Sequence, residues 1–272
     1  MSQTPSIPIA LTIAGSDSGG GAGIQADLKA FSAHGVYDAS VITAITAQNT
    51  QTVRSIHYLP QQMIADQIDA VFDDLRVDAV KTGMLGDAHT LAVVAERLKH
   101  YQPAKLVIDP VMVAKSGDAL LRRNAVELLK RELLPLASLI TPNLPEAAVL
   151  LDISEPQTLA EMACVVKQLH QLGAAAVLLK GGHLPGTEQA TDLFYDGRQL
   201  VHLPAPRVAT QNTHGTGCTL ASAITAGLAS GLDCLSAVQQ AKTYIHGAIA
   251  AADSLDVGKG HGPVHHFYQL WS

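Results

Sequence analysis

The stretch that decides the fold is residues 7–34, which reads IPIALTIA (7–14), GSDSGGGA (15–22) and GIQADLKAFSAH (23–34). The first eight residues are mostly apolar and favour a buried strand, whereas residues 23–34 place apolar side chains at helical spacing. The glycine-rich connection between them is typical of a tight turn from a strand into a helix. The stretch therefore predicts one strand–loop–helix unit.

This unit recurs along the chain. Strand candidates alternate with helix candidates of crossover length, which predicts a parallel sheet covered by helices on both faces. Residues 191–203 form a hairpin candidate around Asp196-Gly197, and residues 217–230 and 235–255 are predicted to be two long helices. The prediction is a three-layer α/β/α fold with a central, mostly parallel sheet, in a single domain over residues 1–272. The further strand candidates are residues 39–47, 79–82, 106–109, 139–141 and 176–180, and the further helix candidates are residues 61–74, 88–100, 125–134, 146–151 and 159–172.

Composition narrows the class of protein. The chain has 272 residues, a net charge of -6 and no run of Lys or Arg, which argues against nucleic acid as a partner. Its three cysteines (Cys164, Cys218 and Cys234) are widely spaced and odd in number, which suits a reducing compartment. No apolar run approaches the ~20 residues that a membrane-spanning helix needs. We expect a soluble cytoplasmic protein with neither nucleic acid nor membrane as a partner.

Glycine or polar residues follow each predicted strand of the sheet. In open parallel sheets, ligands bind at the carboxyl ends of the strands. These residues therefore predict a shared ligand crevice, although turns favour the same residue types. They are Gly15-Ser16-Asp17, Gln48-Asn49, Gly83-Met84, Asp109-Pro110-Val111, Pro142-Asn143 and Gly181-Gly182-His183.

Residues 212–219 (NTHGTGCT) form a glycine-spaced loop that runs straight into a helical pattern. Such a loop lets backbone N–H groups converge, and the helix behind it adds its positive end, so the segment predicts an anion site, phosphate above all. Cys218 lies within it, where the helix end is expected to lower the pKa of a thiol. Three interpretations stay open: a buried structural cysteine, a nucleophile paired with His214 in a hydrolase, and a base beside a phosphate site in a kinase.

The glycine-rich loop also matches a dinucleotide-binding pattern over residues 21–26 (GAGIQA). That interpretation needs an acidic residue after the second strand to bind the ribose, but Gln48 and Asn49 stand there. The sequence has no P-loop of the form GxxxxGK[ST]. If the protein handles ATP, it does so on another scaffold.

Four residues near predicted strand ends suggest a site for phosphate and metal. Asn143 and Glu146 have the spacing of a helix capping box, but they also suit a hydrated Mg²⁺ that takes few protein ligands. Asp109 and Lys180 each end an apolar strand, where a charge must be solvated or paired. Lys180 is predicted to pair with phosphates or with Asp109, and Asp109 to be solvated, paired or bound to a cation.

Taken in order, these segments resemble the hydroxymethylpyrimidine/phosphomethylpyrimidine kinases of thiamine biosynthesis, within the ribokinase superfamily. The resemblance covers essentially the whole chain. The matching segments are residues 11–17 (LTIAGSD), 20–29 (GGAGIQADLK), 46–50 (TAQNT), 81–85 (KTGML), 109–112 (DPVM), 115–117 (KSG), 141–146 (TPNLPE), 180–183 (KGGH), the loop 212–219 and residues 262–267 (GPVHHF).

The resemblance implies a ribokinase-like fold, a homodimer and ATP-dependent phosphorylation of 4-amino-5-hydroxymethyl-2-methylpyrimidine and then of its monophosphate. It also implies Mg²⁺ as a cofactor. Pyridoxal kinase, a pyrimidine-binding sensor without catalysis and the hydrolase are the alternatives. A polar segment at residues 115–118 is expected to close over the substrate. By match, Gly15, Asp27, Gln48, Met84 and Val111 line the pyrimidine site, Lys180, Asn143 and Thr216 bind ATP, Asp109, Glu146 and Asn143 hold the metal, and Gly215, Gly217 and Cys218 form the anion hole and the base.

Overall fold

One eight-stranded sheet organises the computed structural model, which describes residues 6–112 and 123–271. The strand order is β10-β9-β8-β7-β6-β5-β1-β2, and the neighbours from β8 through to β2 are parallel. β9 and β10 add an antiparallel edge, so the prediction of a mostly parallel sheet is confirmed. The strands are β1 (Ile9–Ala14), β2 (Tyr37–Ile42), β5 (Ala79–Thr82), β6 (Leu106–Ile108), β7 (Leu139–Ile140), β8 (Val177–Leu179), β9 (Asp192–Tyr195) and β10 (Leu200–Leu203).

Helices cover both faces of this sheet. Apolar side chains of α2 to α6 form one core with one face, and those of α7 and α8 form a second core with the other. α1 packs beside α7 through Phe31 and Ala226, which completes the predicted α/β/α layers. The helices are α1 (Gly23–Ala33), α2 (Gln61–Asp74), α3 (Ala88–Tyr101), α4 (Arg123–Leu128), α5 (Leu144–Leu151), α6 (Leu159–His170), α7 (Thr216–Ala229) and α8 (Cys234–Ala250).

The predicted strand at residues 39–47 is wrong as a single element. The chain ends β2 at Ile42 and continues as β3 (Ala44–Gln48), which leaves the main sheet and pairs antiparallel with β4 (Val53–Tyr58). The break falls at Thr43, whose N–H donates to Ala14 and whose carbonyl accepts from Leu59. Because β3 remains apolar at alternate positions, its sequence pattern continues that of β2 across the break.

Two predicted helices also differ from the structure. The helix predicted at 125–134 is regular only to Leu128 and continues as a π-helical turn over Leu129–Leu133. Pro135 follows, and its ring and missing N–H prevent a regular α-helical end. The helix predicted at 235–255 ends at Ala250 in α8. The hairpin around Asp196-Gly197 is confirmed as β9 and β10.

The parallel strands bring the predicted crevice residues to one edge of the sheet. β6, β7 and β8 are neighbours, so Asp109, Asn143 and Lys180 follow adjacent strand ends. Gly15 follows β1 and donates its N–H to the carbonyl of Met84, which lies two residues after the end of the neighbouring strand β5. Across the described ranges, no helix combines the length and apolar character that crossing a membrane requires.

Candidate active site

The anion loop, residues 212–219, leads into the first turn of α7. Gly215 caps the helix with φ of 78°, and a Cβ atom there would lie 1.8 Å from the carbonyl oxygen of Gly21. Glycine is therefore required on two counts. The N–H and hydroxyl of Thr216 both donate to the carbonyl of Thr213. Gly217 and Cys218 lie in the first turn of α7, where a helix leaves its N–H groups without internal partners, so these groups are candidates to bind an anion.

Two buried charges face this first turn. A Cβ atom placed on Gly217 would lie 3.4 Å from Lys180 Nζ and 3.6 Å from Asp109 Oδ2. Lys180 Nζ donates to Asp109 Oδ1 at 3.0 Å, and Thr141 donates to the same oxygen at 2.9 Å. Burial favours the neutral forms, but the pair outweighs it, so the pKa of Asp109 is lowered and that of Lys180 is raised. The predicted pairing of these two residues is confirmed.

Asn143 and Glu146 form a complete capping box at the start of α5. Asn143 Oδ1 accepts from the Glu146 N–H at 2.8 Å, and Glu146 Oε2 accepts from the Asn143 N–H at 2.8 Å. Burial raises the pKa of Glu146 to about 7, with Lys180 opposing the rise and Asp109 adding to it. The structural interpretation of this motif as a helix capping box is confirmed.

The oxygen donors fit a sparsely held Mg²⁺. Among the described residues, no group of three or more His, Cys, Asp or Glu side chains gathers as a metal cage. Asp109 nevertheless raises the cost of charging Glu146, and the hydrogen bonds from Lys180 and Thr141 both go to Asp109 Oδ1 rather than Oδ2. A divalent cation that keeps water and phosphate ligands would relieve this repulsion.

Cys218 differs from the sequence prediction in its acidity. The residue is partly exposed and its sulfur accepts the N–H of Gly23, yet the surrounding protein is dense. Burial raises the pKa of the Cys218 thiol to about 11, against the opposing charge of Lys81. The predicted lowering of the pKa is therefore wrong, because lost hydration outweighs the nearby Lys81 ammonium and the hydrogen bond from the Gly23 N–H.

His214 does not serve Cys218. Its Nε2 lies 2.8 Å from Asp17 Oδ2, and no hydrogen bond to the thiol is recorded between these described residues. A nucleophile needs its base within hydrogen-bond reach. This geometry argues against the Cys–His hydrolase.

Asp17 was predicted to be one of the strand-end residues, but its role in the glycine-rich loop was not predicted. Its carboxylate accepts the N–H groups of Gly19, Gly21 and Ala22 at 2.8 to 3.1 Å. The amides of this glycine-rich loop are thus satisfied internally, which argues against dinucleotide binding here. An aspartate two residues before a run of glycines was the signal for this arrangement.

Asp27 lies beneath the crevice rather than in it. It is fully buried, and its oxygens accept two hydrogen bonds from Lys81 Nζ at 2.8 and 3.0 Å. Thr12 and Ser222 donate the other two at 2.6 Å each. These four donors occupy the carboxylate, so the predicted pyrimidine contact finds no support in this placement. Lys81, a charge inside an apolar strand, was the signal for a buried partner.

The remaining predicted substrate residues lie at the same edge. A Cβ atom on Gly15 would lie 2.3 Å from Met84 Cε, so the Met84 side chain covers Gly15. The backbone of Gln48 is tied to the loop after β1 by the Ser18 hydroxyl, which donates to the Gln48 carbonyl at 2.6 Å and accepts the Gln48 N–H at 2.8 Å. Val111 is partly exposed two residues after Asp109. Residues 115–118, the predicted closing segment, lie outside the described residues.

Comparison with known proteins identifies the family. The profile of a family described as Phosphomethylpyrimidine kinase matches residues 17–265. A relative from Rhizobium meliloti named hydroxymethylpyrimidine/phosphomethylpyrimidine kinase is 58% identical over 263 residues, covering 97% of this chain and 98% of that protein.

Solved structures agree with the fold. Pyridoxal kinase of Bacillus subtilis in complex with ADP is 38% identical with a TM-score of 0.91, over 98% of this chain and 100% of that one. Phosphomethylpyrimidine kinase of Clostridium difficile is 47% identical with a TM-score of 0.79, over 90% of this chain and 100% of that one. The chain has the ribokinase-like kinase fold and belongs to the phosphomethylpyrimidine kinase family.

Proposed function

We propose that this chain transfers the γ-phosphoryl group of ATP to 4-amino-5-hydroxymethyl-2-methylpyrimidine and then phosphorylates the monophosphate, for thiamine biosynthesis. The name of the Rhizobium relative supports both steps, at 58% identity over nearly the whole chain. The observation that carries the proposal is the first turn of α7. Lys180 and Asp109 lie beside this turn at Gly217, an arrangement suited to a terminal phosphate.

Transfer requires alignment and neutralisation of charge more than covalent chemistry. The N–H groups of Gly217 and Cys218 would stabilise charge on the transferred group, and Gly215 sets the turn that aims them. Lys180 would contact the same phosphates as a cation. Asn143, which follows the neighbouring strand, is proposed to take part in ATP binding, and Thr216 is proposed to do so through its hydroxyl oxygen.

Asp109 and Glu146 are proposed to hold Mg²⁺ together with ATP phosphates. Asn143 would contribute less directly, since its side-chain oxygen is engaged by the Glu146 N–H. Bound Mg²⁺ would neutralise phosphate charge. The protein's own part is to keep two carboxylates close together, with Lys180 limiting their repulsion.

Cys218 is proposed to accept the hydroxymethyl proton. A pKa of about 11 leaves little thiolate at neutral pH, so the thiol would have to lose its proton before it can act. The transition state of phosphoryl transfer is loose, and little bonding to the attacking oxygen develops early. A small fraction of Cys218 thiolate is therefore compatible with removal of the hydroxymethyl proton late in the reaction.

The substrate would lie among Gly15, Gln48, Met84 and Val111. Gln48 offers both a donor and an acceptor to an aminopyrimidine edge. Pyridoxal is a second candidate substrate, because the pyridoxal kinase of Bacillus subtilis matches this chain over 98% of its length. Its phosphorylation is proposed as a side activity.

An ATP-consumption assay tests the proposal with the hydroxymethylpyrimidine, its monophosphate and pyridoxal side by side. We expect turnover with the first two and slower turnover with the third. Consumption of ATP with pyridoxal alone would replace the proposed function by pyridoxal kinase. Consumption with none of the three would remove it.

The homodimer also remains a proposal, supported by the resemblance. The chain mass is 28.5 kDa, so sedimentation equilibrium distinguishes one chain from two. A single-chain mass at working concentration would contradict it.

A further inference from the structure

The side-chain amide of Gln48 is held at both ends. Its terminal nitrogen position lies 3.3 Å from His214 Nε2, and its oxygen position lies 3.4 Å from Thr46 Oγ1. The two positions are interchangeable by a half-turn about the last side-chain bond. The hydrogen-bonding capacity of the two neighbours decides which arrangement is stable.

His214 Nε2 must carry a proton. It lies 2.8 Å from Asp17 Oδ2, and Asp17 is an acceptor for three backbone N–H groups. Burial favours the neutral acid, but hydrogen bonds from His214 and Gly19 outweigh it, so the pKa of Asp17 is lowered. A carboxylate can only accept, so His214 Nε2 is the donor. With its one proton in place, Nε2 has no lone pair to accept an N–H from Gln48, whereas an amide oxygen at that position can share the N–H that Asp17 accepts.

Thr46 imposes the complementary requirement. Its hydroxyl donates to the carbonyl of Ser16 at 2.8 Å, so its single proton is used. Towards Gln48, Thr46 Oγ1 can then only accept. Both neighbours require the same arrangement, with Gln48 Oε1 towards His214 and Nε2 towards Thr46.

We propose that Asp17, His214 and Thr46 are positioning residues that hold the Gln48 amide in this single orientation and so determine which heterocycle it accepts. The inference rests on the proposed function, in which Gln48 contacts the substrate ring. After both neighbours are satisfied, Gln48 retains one acceptor site on Oε1 and one N–H on Nε2. This pair complements an amino group beside a ring nitrogen.

The fixed amide gives selectivity for the aminopyrimidine. Its ring carries an amino group next to a ring nitrogen, whereas pyridoxal carries no such amidine edge. A freely rotating amide would offer the complementary pair only part of the time. The clamp should therefore favour the aminopyrimidine over pyridoxal and orient its hydroxymethyl group consistently.

Thr46→Val tests the clamp without touching the anion loop. We expect kcat/KM for the aminopyrimidine to fall about threefold to tenfold, the scale of one neutral hydrogen bond, with a smaller change for pyridoxal. Thr46→Ser should restore the ratio. The matched control is Thr43→Val, which removes a similar buried bond, from Thr43 Oγ1 to the Met84 carbonyl at 2.8 Å, without contacting Gln48. An unchanged ratio in Thr46→Val, or an equal change in the control, would overturn the proposal.

A second measurement does not depend on activity. In ¹⁵N spectra of the ligand-free protein, assigned with His214→Phe, the His214 ring should carry its proton on Nε2. A bare Nε2 would overturn the clamp even in an active enzyme. If the wild-type protein phosphorylates neither heterocycle, the proposed function fails, and the spectrum still decides the arrangement of the ring.

Discussion

Replacing Glu146 by Gln separates the structural and electrostatic roles of this side chain. Gln can still accept the Asn143 N–H that completes the capping box, so the start of α5 should persist. What the substitution removes is a buried negative charge beside Asp109. We therefore expect the variant to differ from the wild type in how its stability depends on pH.

The size of the effect follows from the Glu146 pKa, which is raised from 4.5 to about 7 mainly by burial. Between these values the folded state binds a proton that the unfolded state has lost, so wild-type stability decreases as pH rises. At roughly 1.4 kcal/mol per pH unit, the loss amounts to about 3 kcal/mol. The Gln variant lacks this loss, so its stability relative to the wild type should grow by that amount from below pH 4.5 to above pH 7.

Urea denaturation at a series of pH values measures this difference. The matched control is Glu161→Gln, at the corresponding capping position of α6, where Glu161 accepts the Gln157 N–H on the exposed surface. If the stability of both variants changed with pH in the same way, the change could not be assigned to burial of Glu146. Parallel stability curves for wild type and Glu146→Gln would refute the reasoning. The same variant should lose kinase activity if Glu146 holds Mg²⁺.

Four further substitutions test the site and its support. Gly217→Ala places a methyl group 3.4 Å from Lys180 Nζ, and should lower kcat/KM at least ~10²-fold while the urea midpoint stays the same or rises. Gly215→Ala, with its Cβ 1.8 Å from a carbonyl oxygen, should instead lower the free energy of unfolding by more than about 1 kcal/mol. Lys81→Met leaves the Asp27 charge buried without its partner and should lower the free energy of unfolding by about 3–5 kcal/mol. Adding Asp27→Asn should recover part of this loss. Strictly additive losses in the double variant would contradict the coupling of the two residues. Cys218→Ala should lower kcat at least ~10²-fold. In the wild type, kcat should rise with pH towards the thiol pKa of about 11. A plateau in kcat near pH 7 would count against Cys218 as the base.

Prediction from the sequence succeeded where local pattern and chain direction suffice. Strand ends of a parallel sheet share one edge, so Asp109, Asn143 and Lys180 could be placed near each other before any coordinates. The prediction of one strand over residues 39–47 failed. These residues alternate as a strand should, but the chain leaves the main sheet at Thr43 and β3 pairs with β4 instead. Alternation reports a half-buried strand but not which partner strand it pairs with.

The sequence by itself determined the α/β layering, the anion loop before α7 and the family, because periodicity and ordered motifs are properties of the chain. The tertiary structure alone decided the ionisation of the site. Burial raises the pKa of Cys218, and Asp27 forms a buried ion pair with Lys81. Both effects depend on neighbours that are far apart in the chain. Asp17 and His214, 197 residues apart, likewise meet only in the folded protein. Desolvation and Coulomb energy depend on distance in space, which no local pattern encodes.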